Sequence, residues 1–306
     1  MNRFLSTGIL IASFAFAESE EKLQPAVQFE KTGRVILDLG GSGSFDECHA
    51  KYPSVIRVGD EWRMYYNGRA KNCFTGAIGY ATSQDGLNWE RANGGRAVLR
   101  PGPEGSAYST KVDHPTVLKK DGQYHMWFTM GDQQSRYTVG HATSRDGIDW
   151  RISNDGKPVI DRGGKGGFDA GAVMHPTALL APDGLIHLWY FGRPDNKSGF
   201  SIGHATSCDG VTWKKSNDGN PVLTPGMVDG AMESAVYNCA VLLEDGVFRM
   251  WYTAAYKQHM KNFAERSGGI TYREARTAFA GRRIRRRLSS TVHPAASMSI
   301  RLTLPA

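Results

Sequence analysis

One segment of eleven residues occurs three times in this chain, and it constrains the fold more than any other feature of the sequence. Segment 79–89 (GYATSQDGLNW) returns as 140–150 (GHATSRDGIDW) and as 203–213 (GHATSCDGVTW). The closing tryptophans, 89, 150 and 213, are separated by 61 and 63 residues. Self-similarity at a nearly constant period predicts an array of like structural units rather than one irregular core.

Each repeat belongs to a longer unit whose segments follow in a fixed order. An apolar run, a Gly/Asp turn and an aromatic-rich run come first, and the repeated segment and a short apolar pair follow them. The apolar runs begin at Pro53, Pro115 and Pro176, and at Cys239 in a fourth copy. Gly/Asp turns between apolar runs are typical of β-hairpins. Four antiparallel strands per unit of about sixty residues predict an all-β fold, a β-propeller of four-stranded blades.

The register of the repeat also predicts how the two ends of the propeller meet. Leu37 precedes Pro53 by 16 residues, as the last residue of each apolar pair precedes the next unit. Arg34–Leu37 therefore has the sequence of a fourth strand with no blade before it. We expect this segment to complete the last blade, because such pairing removes exposed sheet edges. Ile270–Tyr272 is expected to be the third strand of that blade, which places the propeller domain at residues 34–272.

The two ends of the chain differ from the repeats. Residues 1–17 combine Arg3, an apolar stretch and an Ala-Phe-Ala sequence, which together predict a secretory signal peptide. Residues 18–33 are then a linker, and the expected location is secreted or periplasmic. No membrane partner is expected, because the apolar stretch is too short to span a bilayer stably. Residues 273–306 are an atypical basic tail without the blade pattern.

The distribution of charge argues against nucleic acid as a partner. The formal net charge is +7, and residues 271–306 hold eight arginines and one glutamate, which accounts for the whole excess. The propeller itself is therefore close to neutral, whereas nucleic-acid-binding domains carry clustered basic residues.

Two of the four cysteines are predicted to lie at the same end of one blade. Cys48 comes before the first strand, and Cys73 comes between the second and third strands. Since consecutive strands alternate in direction, these two positions share one face of the ring. A disulfide between Cys48 and Cys73 is therefore predicted, with free buried thiols as the alternative.

Parts of the repeat resemble the five-bladed β-propeller glycosidases, a group that includes arabinanases, β-xylosidases, invertases and levansucrases. The resemblance covers roughly residues 34–272 and is more specific for the fold than for the substrate. Those proteins have five blades, whereas four first-strand copies are found here. The blocks that carry the resemblance are Pro-Ser-Val-Ile (53–56), Trp-Arg-Met-Tyr-Tyr-Asn-Gly (62–68), Ile-Gly-Tyr-Ala-Thr-Ser (78–83) and Asp-Gly-Leu-Asn-Trp (85–89).

The Ser-x-Asp-Gly-x-x-Trp turn is also similar to the Asp box of sialidases, although it is one residue shorter. In sialidases the Asp and Trp of that turn pin a hairpin and take no part in catalysis. The resemblance therefore implies a structural role for Asp85, Asp146 and Asp209.

The resemblance implies an exported glycoside hydrolase that acts on a carbohydrate without a cofactor, through carboxylates at the start of the innermost strands. Glycosidic cleavage needs a proton donor and a second carboxylate that activates water or attacks carbon. Glu233 is the expected donor, Glu47 or Asp46 the expected base, and Asp113 tunes or shares that work. Asp113 breaks the repeat, whereas Asp46 recurs as Asp169, which favours a structural role for Asp46. Solvated loop acids are the alternative for each candidate.

The position before each first-strand proline carries a polar side chain, and the register predicts that these side chains converge at one pore mouth. Such a ring is suited to sugar binding. A metal held by three histidines is the alternative, but no His-x-His spacing supports it, and no metal is expected. The predicted substrate-binding residues are His49, Tyr52, Arg69, His114, His175, Arg193 and Asn238.

Two other functions remain open at this stage. The glycosidases carry an Asp directly before the proline of the first blade, and Tyr52 stands there in this chain. This departure favours a non-catalytic carbohydrate-binding propeller as the first alternative. A sialidase-like enzyme is the second alternative, but that chemistry needs three arginines around a carboxylate. Only Arg69 and Arg193 are predicted on the proper face.

Overall fold

The structure, a computed structural model, describes residues 33–71, 75–195, 199–228, 230–256 and 268–275. Within these residues the chain forms four antiparallel sheets of four strands each, arranged as a propeller. The first sheet contains β1 (His49–Val58), β2 (Glu61–Arg69), β3 (Ala77–Ser83) and β4 (Glu90–Arg91). The second contains β5 (Lys111–Lys120), β6 (Gln123–Gly131), β7 (Tyr137–Ser144) and β8 (Arg151–Ile152).

The other two sheets repeat this order with one change. The third contains β9 (Ala172–Leu180), β10 (Ile186–Arg193), β11 (Ser201–Ser207) and β12 (Lys214–Lys215). The fourth contains β13 (Met227–Val228), β14 (Ala231–Glu244), β15 (Val247–Tyr256) and β16 (Gly268–Ala275), so a short strand precedes its longest one. The all-β propeller with four recognisable blades is confirmed. The predicted strand at Ile270–Tyr272 is also present, and it continues to Ala275.

The outer edge of the first three blades differs in detail from the prediction. The fourth strand is only two residues long, and a single 3₁₀ turn follows it at Asn93–Gly95, Asn154–Gly156 and Asn217–Gly219. The predicted apolar pairs then return to the third strand through one bridge each, from Leu99, Ile160 and Leu223. Within the described residues, no helix is long and apolar enough to cross a membrane.

The prediction that Arg34–Leu37 completes the last blade is wrong. These residues form no strand. Ile36 and Leu37 pack on the core of the first blade, and the guanidinium of Arg34 donates hydrogen bonds to the Leu87 carbonyl and the Asn88 side chain, both at 3.2 Å. The segment therefore covers the blade that follows it in sequence, where Ile36 and Leu37 are half-buried and Val35 remains exposed.

The repeated turn has the structural role that was expected for its Asp and Trp. Asp85 Oδ1 accepts hydrogen bonds from the backbone of Leu87 and Asn88 at 2.8 and 2.7 Å. Trp89 Nε1 donates to the carbonyl of Gly86 at 2.8 Å. Asp146 and Asp209 make the same contacts in the next two blades. Each of these carboxylates satisfies backbone donors within its own turn, which agrees with a structural assignment.

Hydroxyl groups that follow the first-strand prolines join neighbouring blades near the axis. Ser54 Oγ accepts a hydrogen bond from the Val117 backbone N–H at 3.0 Å, and Thr116 Oγ1 accepts one from Ala178 at 3.1 Å. Thr177 continues the series by donating to the carbonyl of Cys239. The recurring Pro-Ser/Thr pair is therefore a link between consecutive innermost strands, and it fixes their relative height.

A Thr116→Val substitution is expected to lower the free energy of unfolding by about 1–3 kcal/mol, because a backbone N–H would lose its acceptor. Urea denaturation followed by circular dichroism measures this change. Thr143→Val, at a half-buried position in the same blade, is the matched control and should stay within about 0.5 kcal/mol of the parent. Equal losses in the two variants would contradict the linking role.

Candidate functional site at the pore mouth

Four polar side chains occupy the same position in the innermost strands of the four blades. We call them the ring residues: Tyr52, His114, His175 and Asn238. Each sits in a bulge of its strand. Each also has a left-handed backbone, with φ of 55°, 49°, 52° and 49° respectively. Only Asn tolerates this conformation readily, and strain at bulky residues concentrates at functional sites.

The ring residues meet, as the register predicted. The Tyr52 and His114 rings stack with centroids 3.6 Å apart, and His114 stacks on His175 at 3.3 Å. His175 Nδ1 contacts Asn238 Oδ1. Tyr52 is 41% exposed and Asn238 is also exposed, so solutes reach this column of side chains from the solvent. Three aromatic rings and an amide from four separate blades therefore form one continuous surface.

Asp113 is the carboxylate that the structure brings to this surface. It is 7% exposed, and Oδ1 accepts a hydrogen bond from the His114 backbone at 2.8 Å. Lys111 Nζ lies 3.6 Å from Oδ2. Burial raises the pKa of Asp113, but the contact with His114 and the charge of Lys111 outweigh it and lower that pKa to about 2. Asp113 is therefore ionised throughout the physiological range.

The histidines beside Asp113 are held neutral. Burial lowers the pKa of His114 below its ordinary value, and it lowers the pKa of His175 well below that value, where His114 adds repulsion. His114 Nδ1 lies 3.2 Å from Asp113 Oδ1. Neither ring nitrogen of His114 has a well-aligned hydrogen-bond partner within the described residues, although both are buried. Such unsatisfied donors and acceptors are characteristic of a position completed by a ligand or water.

His49 joins the site from the start of β1. Its Nε2 donates a hydrogen bond to Asn67 Oδ1 at 2.8 Å, so Nδ1 carries the lone pair of the neutral ring. Asn67 is 1% exposed and reaches the Val112 carbonyl of the next blade at 3.5 Å. Burial lowers the pKa of His49, and the charge of Asp113 opposes that change. The site therefore spans the boundary between the first two blades.

Sequence reasoning did not assign roles to Asn67 or Lys111. The signal for Lys111 was present, because Lys111 and Asp113 are two residues apart in a strand and therefore share one face. Asn67 lies in one of the blocks that carry the resemblance, and nothing in the sequence predicted its hydrogen bond with His49.

The expected proton donor, Glu233, lies inside the fourth blade. It is 2% exposed, and both of its oxygens accept hydrogen bonds there. Oε1 accepts from the Tyr252 hydroxyl at 3.1 Å, and Oε2 accepts from the Gly226 backbone at 3.0 Å. These bonds tie the segment before β14 to β15. The geometry favours a structural role for Glu233 over the catalytic role that was expected.

The same pairing of a carboxylate with a tyrosine recurs in the first and third blades. Asp46 accepts a hydrogen bond from the Tyr66 hydroxyl at 2.9 Å, and Asp169 accepts one from Tyr190 at 3.2 Å. A cation of the same blade, Arg91 or Lys215, also bonds each carboxylate. Asp46 therefore bonds its loop to its own sheet, in the structural role that its recurrence favoured.

The remaining predicted residues lie around the same strand ends. Glu47 is turned into its own loop, where Oε2 accepts a hydrogen bond from Gly43 N–H at 3.1 Å. Arg69 pairs with His49 across the β1–β2 ladder. Arg193 pairs with Ala172 at the same level of the third blade. The structure thus places both arginines at the expected ends of the second strands.

The predicted disulfide is not tested. Cys48 is exposed, and its Sγ lies 3.9 Å from the Arg69 guanidinium. Cys73 lies outside the described residues. The pairing of Cys48 with Cys73 therefore stays a prediction, as do the signal peptide, the linker up to residue 32 and the tail beyond residue 275.

A Tyr52→Asn substitution is expected to weaken saccharide binding by about tenfold while leaving the melting temperature within a few degrees of the parent. Asn tolerates the left-handed backbone, but it removes the aromatic face that stacks on His114. Calorimetric titration with an oligosaccharide bound by the parent measures the affinity. A large loss of stability together with the loss of binding would contradict this role for Tyr52.

The fold is shared with solved glycoside hydrolases. Zg3597, a family 117 glycoside hydrolase of the marine bacterium Zobellia galactanivorans, is 19% identical with a TM-score of 0.58, covering 76% of this chain and 73% of that one. A thermostable family-43 glycoside hydrolase is 16% identical with a TM-score of 0.55, covering 76% and 70%. Fructan 1-exohydrolase IIa from Cichorium intybus is 19% identical with a TM-score of 0.51, covering 73% and 41%. At identities this low, the structural similarity shows a common fold and nothing further.

Sequence comparison adds two relatives. They are the uncharacterized proteins MT1551 and Rv1502 of two Mycobacterium tuberculosis strains, each 29% identical over 189 residues. The match covers 59% of this chain and 59% of each relative, so the chain spans less than two thirds of their length. No protein-family model matches the chain.

Proposed function

We propose that this protein is an exported glycoside hydrolase that cleaves O-glycosyl bonds of an oligo- or polysaccharide at the pore mouth. The observation that carries this proposal is the convergence of Asp113, His49 and the ring residues on one surface of a fold that glycoside hydrolases share. Residues 1–17, with their signal-like sequence, support export.

The chemistry assigns different tasks to Asp113 and His49. Asp113, with a pKa of about 2, is a carboxylate at neutral pH and therefore suits water activation or stabilisation of an oxocarbenium-like transition state. His49 is held by Asn67 through Nε2, so its protonated form can donate from Nδ1. Burial lowers the pKa of His49 below its ordinary value, so its protonated form becomes abundant only in acidic solution. Turnover should accordingly be faster in mildly acidic solution than at pH 8.

A non-catalytic carbohydrate-binding propeller is the second candidate function. Glu233 is bonded within its own blade, so Asp113 is the one carboxylate among the described residues that acts on the ring histidines. Hydrolysis by the usual route employs two carboxyl groups. The presence of one carboxylate in place of two favours carbohydrate binding without hydrolysis, unless His49 takes the part of the second carboxyl group.

Turnover distinguishes the two functions. The full chain, with its fold verified by circular dichroism, would be incubated with plant, algal and bacterial oligosaccharides at pH 5.5 and pH 8, and the products separated by chromatography. The hydrolase predicts shorter products that form faster at the lower pH. A folded protein that binds a saccharide by calorimetry without shortening it would support the binding propeller instead.

A further inference from the structure

Three cationic side chains lie around the pore mouth in addition to Lys111. Lys51 directly precedes Tyr52 and is exposed. Arg69 is paired with His49, three residues before Tyr52 in β1. Arg193 is paired with Ala172, three residues before the ring position of β9. The two arginines therefore stand at the same level of the first and third blades.

No carboxylate of the described residues neutralises these cations. In the described ranges, none of the three forms an ion pair with a carboxylate. Arg193 donates from Nη2 to the Gly171 carbonyl at 3.3 Å, while its Nε is buried and has no hydrogen-bond partner among the residues that the structure describes. Within the described part of the chain, the one side-chain hydrogen bond of Arg69 goes to the Cys48 sulfur at 3.9 Å. A buried guanidinium N–H without an acceptor costs free energy that a ligand oxygen can return.

The nearby carboxylates do not change this balance. The charge of Asp113 is opposed by Lys111, whose Nζ lies 3.6 Å away. Glu47 directs Oε2 to the Gly43 backbone within its own loop. The charges of Lys51 and Arg69 both lower the pKa of His49, which places them within electrostatic range of the site. The pore mouth is therefore positively charged on a propeller whose net charge is close to zero.

We propose that the pore mouth takes an anionic saccharide, one that carries carboxylate or sulfate groups, with Arg69 and Arg193 binding those groups. The inference rests on the proposed carbohydrate site and names its substrate class. A guanidinium presents its N–H groups in a planar fork that matches two oxygens of a carboxylate or sulfate. A cleft with one sign of charge also raises the local concentration of the oppositely charged ligand.

The test compares saccharides that differ in charge alone. The full chain would be titrated by calorimetry with trigalacturonate, with its neutral methyl ester, and with a sulfated galactose trisaccharide beside its unsulfated parent. At least one charged form is expected to bind about tenfold or more tightly than its neutral partner, the factor that corresponds to one charge-assisted hydrogen bond. This preference should shrink between 50 mM and 300 mM salt, because ions screen exposed charges.

The variants locate the effect at the pore mouth. Arg69→Gln and Arg193→Gln are each expected to lower affinity for the charged saccharide about tenfold, and more than for the neutral one. Lys51→Ala changes an exposed side chain that folding does not need, so it tests the charge even where Arg193→Gln is unstable. Arg145→Gln is the control. It removes an exposed cation just beyond Ser144, at the edge of the second sheet opposite Lys111, and it should leave the preference unchanged.

The outcomes separate this inference from the proposed function. A preference for the carboxylated or the sulfated trisaccharide supports the inference and identifies the group. Equal affinity for charged and neutral saccharides overturns the anionic class while the carbohydrate site stands. Absence of binding to every saccharide, from a protein shown to be folded, overturns both proposals. An unchanged preference in Lys51→Ala and both arginine variants also overturns the assignment to these residues.

Discussion

An Asp113→Asn variant is expected to lose turnover by about 10²–10⁴-fold, the range that a positioned acid or base supplies. Asn keeps an oxygen for the His114 backbone N–H that now bonds Oδ1, so the bulge at the ring position should persist. The substitution removes the negative charge that, in the proposed function, activates water or stabilises the positive charge that develops on the sugar. Initial rates on an oligosaccharide cleaved by the parent, measured beside the melting temperature, give both quantities.

Glu233→Gln is the matched variant for this prediction, and it should behave in the opposite way. Glu233 bonds Tyr252 and the Gly226 backbone within the fourth blade. Its neutral replacement should therefore lower the free energy of unfolding by about 1–3 kcal/mol while the rate constant changes little. Loss of turnover in Glu233→Gln at an unchanged melting temperature would restore Glu233 as the proton donor. Full turnover in Asp113→Asn would remove Asp113 from catalysis.

The repeat predicted the blades and the convergence of the ring residues, because both depend on register alone. Tyr52, His114, His175 and Asn238 hold one position in four like strands, so the symmetry of the fold brings them together. No such symmetry governs Arg34–Leu37. This segment matches the sequence pattern of a fourth strand, but it packs on the first blade. The register of the repeat shows where a strand would fit. It does not show whether the segment buries more apolar area on the last blade or on the first.

The structural contacts of Glu233 do not follow from its position along its own strand. The second strand carries the missing information. Tyrosine stands at the equivalent position in the three blades where it bonds Asp46, Asp169 or Glu233, whereas the second blade has Phe128 there and Tyr108 at the position of Asp46 and Asp169. A hydroxyl donor that accompanies an acid in every blade where the acid occurs indicates a structural pair. Side-chain contacts across a sheet therefore decide a role that position along the chain cannot.

The stability of the propeller is expected to fall steeply below pH 6.5, because two buried histidine pairs resist protonation. His125 Nδ1 lies 3.1 Å from His141 Nε2, and His187 Nδ1 lies 3.1 Å from His204 Nε2. Burial, together with a smaller contribution from the neighbouring histidine of each pair, lowers the pKa of His141 and of His204 to about 3. Asp209 acts weakly in the other direction on His141.

The sign of the effect follows from the proton balance. Above pH 6.5 both histidines are neutral in the folded and the unfolded chain, so they contribute nothing. Between pH 6.5 and about 3 the unfolded chain binds protons that the folded chain cannot accept, and the free energy of unfolding falls with pH. Each proton lowers the free energy of unfolding by about 1.4 kcal/mol per pH unit. His141 and His204 together therefore lower it by up to about 2.7 kcal/mol per pH unit. Over these roughly 3.5 pH units the loss reaches about 9 kcal/mol, which is a large part of a typical total of about 5–15 kcal/mol.

The first blade offers a matched variant that removes one pair without leaving a gap. Arg63 and Tyr80 occupy its equivalent positions, as the strand registers show. His125→Arg combined with His141→Tyr gives the second blade the same two residues. Urea midpoints between pH 7.5 and pH 4.5 should show a slope that is smaller than the parent's by up to about 1.4 kcal/mol per pH unit. Identical slopes would contradict the assignment. In the unmodified protein, NMR signals of His141 and His204 that titrate near pH 6.5 would contradict it independently, since these rings should remain neutral until the chain unfolds.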